Sequence, residues 1–170
     1  MTEPILVIVL RLLVPLTIIR LPFFGIIASV IVDAFDVVIA DFVFTGSFSN
    51  YHSFDKLMDT YHLAIAFFVS LRWDKIAKIT SGILFFYRMV GVMLFEITGV
   101  RIYLFIFQNL FENFFIFEVA RQKYFGGFKL NKRNIIIILL ILLIPKMIQE
   151  YMLHYLELKP WSWIKSKLFS

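Results

Sequence analysis

Residues 21–44 read LPFFGIIASVIVDAFDVVIADFVF. No charged residue interrupts the stretch before Asp33, and acids then follow at Asp33, Asp36 and Asp41. A helix needs about 20 largely apolar residues to cross the hydrocarbon core of a bilayer. This stretch is long enough, so it predicts a transmembrane helix with carboxylates near one end. Asp33 and Asp36 are three apart and share one face of that helix.

The rest of the chain repeats the pattern. Further apolar runs cover residues 4–19, 54–71, 79–98, 102–120 and 134–156. Of the 170 residues, 61% are hydrophobic and 17% are charged. A soluble domain carries about 45–50% apolar and about 25% charged residues, and one domain of this size has too little interior to hide the excess. The expected fold is therefore all-α, an integral membrane bundle of six transmembrane helices in a single domain. The run at 4–19 is short and interrupted by Arg11 and Pro15, which leaves a five-span alternative with that segment lying in the interface. A cleavable signal peptide is not expected there. Residues 159–170 alternate Trp161, Trp163, Lys165 and Lys167, the chemistry of an interfacial tail.

The charge of +5 does not point to nucleic acid, because Lys and Arg cluster between apolar runs. Arg72, Lys75 and Lys78 follow the third run, and Arg121, Lys123, Lys129, Lys132 and Arg133 follow the fifth. The positive-inside rule places these loops and Arg20 in the cytoplasm, and the loop at 42–54, which has no Lys or Arg, outside. With six spans both termini lie outside. A prokaryotic plasma membrane is the expected location, with the bilayer itself as partner and oligomerisation left open. Absence of Cys removes thiolate catalysis, zinc–thiolate sites and iron–sulfur clusters.

The remaining charges form stripes. Asp55, Asp59 and His62 are spaced four and three, Lys146, Glu150 and His154 four and four, and Glu112 stands between Asn109 and Asn113. A charge in the membrane core costs roughly 2.5–3.5 kcal/mol on insertion scales, so such residues are functional candidates. Asp33, Asp36, Asp55, Asp59, Glu112 and Glu150 are six acids, with Arg88 and Lys146 as the clear bases beside them. Crowded carboxylates hold protons or cations. Oxygen-rich, Cys-free sites suit Mg²⁺ or Mn²⁺, and less readily Zn²⁺ or Ca²⁺.

Simpler readings exist for single residues. Asp55 suits a helix start, Asp41 a solvated acid, His52 and His154 a surface position. Arg88 can pair with Glu112 or Glu150, and Lys146 with Glu150 at i,i+4.

Asp33-x-x-Asp36 followed by Asp55-x-x-x-Asp59 resembles the metal signature of the CDP-alcohol phosphotransferases, six-span enzymes of phospholipid synthesis that hold two metals with four Asp. The family's Gly after the second Asp is Val37 here, and its Ala-Arg pair is Ala40–Asp41. The segments YHSFDKLMDTYH (51–62), VGVMLFEITG (90–99), NLFENFF (109–115) and QEYMLH (149–154) resemble a family of small prokaryotic membrane proteins without assigned activity.

Three functions are then expected in order. The first is a divalent-metal-assisted enzyme on a lipid or lipid-linked substrate. Its acidic, outward-facing site would hold metals on Asp33, Asp36, Asp55, Asp59 and Glu112, with His62 as general acid/base, Arg88 or Lys146 as a phosphate clamp and Glu150 beside them. The second is a cation- or proton-coupled small transporter. The third is a structural or accessory subunit whose polar core specifies helix pairing.

Overall fold

The computed structural model describes residues 3–43 and 51–151, with side chains described at 8–34, 57–148 and 151. The tail at 159–170 lies outside the described residues. Every regular element among them is a helix, and each apolar run of the sequence has its counterpart: α1 (Glu3–Leu13) continued by a 3-10 segment (Val14–Ile19), α2 (Pro22–Val43), α3 (Tyr51–Ser70), α4 (Lys75–Thr98), α5 (Ile102–Ile106), α6 (Leu110–Tyr124) and α7 (Lys132–Glu150). Among the described residues, two stretches are long and apolar enough to cross a membrane, Lys75–Thr98 and Ile102–Tyr124.

Local chemistry explains the boundaries. Pro15 lies in the first turn of the 3-10 segment. It has no N–H to offer and its ring crowds the preceding turn, so the α-helical pattern stops there. Gly99 closes α4 at φ 69°, and its N–H donates to Phe95 O at 2.7 Å. That left-handed cap suits glycine because a Cβ would strain it. Asn131 caps α7, accepting from the N–H groups of Arg133 (3.0 Å) and Asn134 (2.8 Å).

The fifth run is not one continuous helix. It breaks at residues 107–109, between α5 and α6. Asn109 precedes α6 as its cap: Glu112 N–H donates to Asn109 Oδ1 at 3.3 Å, and Asn109 Nδ2 donates to Glu112 Oε2 at 2.7 Å. This is a variant of the capping box.

Where the sequence alone reads a single domain, the chain groups into two compact units. Unit 1 comprises Met1–Lys78 and Phe115–Phe128; unit 2 comprises Ile79–Phe114 and Lys129–Ser170. In unit 1 the core holds Ile18, Ile26, Leu63, Ala66, Phe115 and Val119. Trp73 stacks at a tilt on Phe115, ring centroids 4.9 Å apart. In unit 2, Phe85 meets Phe111 edge-on at 5.5 Å, and Tyr87 lies 4.8 Å from Phe107.

The 3-10 segment approaches α2 backbone to backbone at Gly25. A Cβ there would lie 2.5 Å from Ile18 N and 2.7 Å from Ile18 Cα. Backbone atoms cannot swing away as a side chain does. Gly25→Ala is therefore expected to destabilise the protein by about 1–3 kcal/mol, the usual cost of overpacking. Gly127, where a Cβ meets nothing within 4 Å, supplies the control. Thermal unfolding in detergent should show a lowered midpoint for Gly25→Ala and an unchanged one for Gly127→Ala.

Candidate functional site: an arginine shared by two carboxylates

Three helices of unit 1 bring one base and two acids together. Arg11 comes from the last turn of α1, Asp33 from α2 and Asp59 from α3. Arg11 Nη2 donates to Asp33 Oδ1, and also to Asp59 Oδ1 at 2.8 Å. The Arg11 side chain is 5% exposed, while both carboxylates are 38% exposed. The cation is thus enclosed and the anions border it. Tyr61 O–H donates to Leu12 O at 3.1 Å, which ties the end of α1 to α3 and holds Arg11 at this level.

A small pocket, open on one side and with room for about one water, adjoins the triad. Arg11, Pro15, Ser29, Asp33, Met58 and His62 are among its lining. Ser29 stands one turn before Asp33 and donates to Gly25 O at 2.8 Å, leaving its oxygen lone pairs free to accept. His62 stands one turn after Asp59 and is 6% exposed. Its Nε2 is buried without a hydrogen-bond partner. An orphaned buried polar atom costs about 1–3 kcal/mol, so it marks a place that a water or a ligand would fill.

Of the residues expected at a site, Asp33, Asp59 and His62 meet here. The side chains of Asp36, Asp55, Glu150 and His52 lie outside the described residues, as does His154. Asp41 falls within α2 rather than in a loop.

Glu112 is engaged with Asn109 at the start of α6 in unit 2, so its carboxylate has a helix-capping role there. Arg88, also in unit 2, donates from Nη1 to Phe107 O at 3.0 Å and to Leu104 O at 3.4 Å, satisfying carbonyls at the break between α5 and α6. Lys146 is buried on α7 in unit 2. Among the described residues, no group of three or more His, Asp or Glu side chains could hold a metal ion. Between Asp33 and Asp59, the cation supplied is the guanidinium of Arg11.

Two sets of residues escaped the sequence reading. Arg11 appeared there only as an interruption of the first run, and the bases of the polar core were taken to be Arg88 and Lys146. Its partners are 22 and 48 residues away, which local periodicity cannot reveal. The second set is Glu118 with Arg121. Glu118 is fully buried, and Arg121 grips it with both fork nitrogens, Nε to Oε2 at 2.8 Å and Nη2 to Oε1 at 2.7 Å. Gln122 Nε2 adds a bond to Oε1 at 2.8 Å, and Arg121 Nη1 donates to Phe128 O. Here the i,i+3 spacing was a usable signal.

Compared with protein-family models, curated proteins and solved structures, the chain matches none.

Proposed function

We propose that the chain is a multi-pass protein of a prokaryotic plasma membrane that passes protons through a site made of Asp33, Arg11, Asp59 and His62. The observation that carries this reading is the sharing of one buried guanidinium by two carboxylates from different helices. Carboxylates from two helices crowded about one guanidinium are groups through which a proton or a small cation can be exchanged in an apolar setting. The open-sided cavity and the orphaned Nε2 of His62 give such a proton somewhere to go.

Two further features support the membrane part. Ile79, Ile83, Phe86, Val90, Met93 and Ile97 are all exposed and follow a helical stripe along α4. The stripe spans ~27 Å at 1.5 Å per residue, close to the hydrocarbon thickness of a bilayer. Exposed apolar surface of that length is unusual on a soluble monomer. Lys75–Thr98 and Ile102–Tyr124 are each long and apolar enough to cross a membrane.

Metal-assisted lipid chemistry is the weaker reading. Two of the acids that would hold the metal, Asp33 and Asp59, already share Arg11, and a second cation beside them would be repelled by it.

Proteoliposomes enclosing a pH-sensitive dye test the proposal under a potassium diffusion potential. Proton influx should exceed that of protein-free vesicles. Asp33→Asn and Asp59→Asn should each lower it by roughly tenfold or more, the usual weight of a proton-transfer group. Circular dichroism should show both variants folded. Wild-type influx in both variants would overturn the reading.

A further inference from the structure

We infer that one end of unit 1 is a docking surface for anionic phospholipid headgroups, an assignment that rests on the membrane reading above but uses none of the residues of the triad. Three parts of the chain meet at this end. Arg121 of α6 approaches Asp74 of the α3–α4 turn at 3.7 Å. Lys123 of α6 lies over the first residues of α2, its Nζ 3.5 Å from the Phe24 ring centroid and 4.9 Å from that of Phe23. Phe23 in turn meets Tyr124 edge-on at 5.4 Å.

This gathering concentrates charge of one sign. Arg20, Arg72, Lys75, Lys78 and Lys123 are all exposed. The only exposed acid among the described residues of these three segments is Asp74. Glu118 is not available to offset them, because it is fully buried against Arg121. The basic groups alternate with exposed apolar side chains, Leu21 at 58%, Phe24 at 57% and Phe125 at 67%. Rings and leucine suit the acyl–headgroup boundary, and ammonium and guanidinium groups suit lipid phosphate. A soluble polyanion would use the charges but not the apolar side chains between them. Each basic residue near an anionic surface adds to its attraction, and salt weakens it.

Native mass spectrometry of the purified protein in detergent tests this with added phosphatidylglycerol, phosphatidylcholine or inorganic phosphate. Phosphatidylglycerol should be retained on the order of tenfold more than phosphatidylcholine, with retention falling as salt rises. Neutralising Arg20, Arg72, Lys75, Lys78 and Lys123 to Gln should abolish the preference. Neutralising Lys159, Lys165 and Lys167 should leave it intact. Equal retention of the two lipids, a preference that survives the fivefold variant, or competition by inorganic phosphate at equal concentration would overturn the assignment. Carbonate extraction of cell membranes carrying the same variants separates the two readings: a protein that stays in the membrane but shows no lipid preference refutes this surface alone.

Discussion

Arg11→Met should lower the stability of the folded protein by about 3 kcal/mol, the low end of the range for removing one partner of a buried ion pair. The low end applies because Asp33 and Asp59 are each 38% exposed, although Arg11 itself is 5% exposed. Without the guanidinium, two carboxylates from different helices lose the cation that they share. Asp33→Asn should cost less, since Arg11 keeps its bond to Asp59. The variant Arg11→Met/Asp33→Asn/Asp59→Asn should recover part of the loss, because it removes both carboxylates together with the cation that they share. Such non-additivity separates an ion triad from three unrelated polar residues. Thermal unfolding in one detergent, at one pH, measures all three. If Arg11→Met unfolds at the wild-type midpoint, the triad does not hold α1 to α2 and α3.

Arg121→Met should cost more, about 4 kcal/mol, because Glu118 has no exposure at all. Its carboxylate would keep only the Gln122 amide, 2.8 Å from Oε1. The same substitution frees Phe128 O, so the turn at 125–128 keeps the backbone bond from Phe125 N–H to Arg121 O but loses its side-chain tie to α6. Arg121→Lys should rescue only a fraction, since one ammonium cannot reproduce the two-pronged grip on Oε1 and Oε2. Glu118→Leu/Arg121→Met should restore most of the stability, because replacing a buried pair by apolar side chains of similar volume is often neutral. Urea or SDS titration of the four proteins measures the series. A full rescue by Lys would show that charge alone, without the fork geometry, accounts for the pair.

Much of the architecture was legible from residue order. The six apolar runs anticipate the helices to within a few residues, because hydrophobic length is a local property. Pro15 and Gly99 mark their breaks by chemistry that is equally local. The interruption at 107–109 was present as Asn109-x-x-Glu112, a capping signature, yet the polar pair also fitted a stripe inside a span. The competition between those readings is settled only by the backbone. Asp33, Asp59 and His62 were found because acids and histidines stand out against apolar runs. Arg11 was not, since nothing within its own run distinguishes a charge that breaks a helix pattern from one that two distant carboxylates enclose. Glu118 was passed over for a similar reason: its pairing with Arg121 sits at the junction of an apolar run and a basic loop, where the basic residue reads as a topology signal.

To pass protons as proposed, the Arg11–Asp33–Asp59 site must lie within the membrane and nonetheless be reached by water. The chain has no Cys, so a single introduced thiol reports alone. Met58 is 6% exposed and lines the cavity, whereas Leu63 is 3% exposed and belongs to the apolar core. The decisive measurement is labelling of Met58→Cys by a small membrane-impermeant thiol reagent in intact, sided membrane vesicles. Met58→Cys should react from one side only, much faster than Leu63→Cys. A Met58→Cys that stays unlabelled from both sides in intact vesicles, and reacts only after denaturation, would rule out a water-reached site.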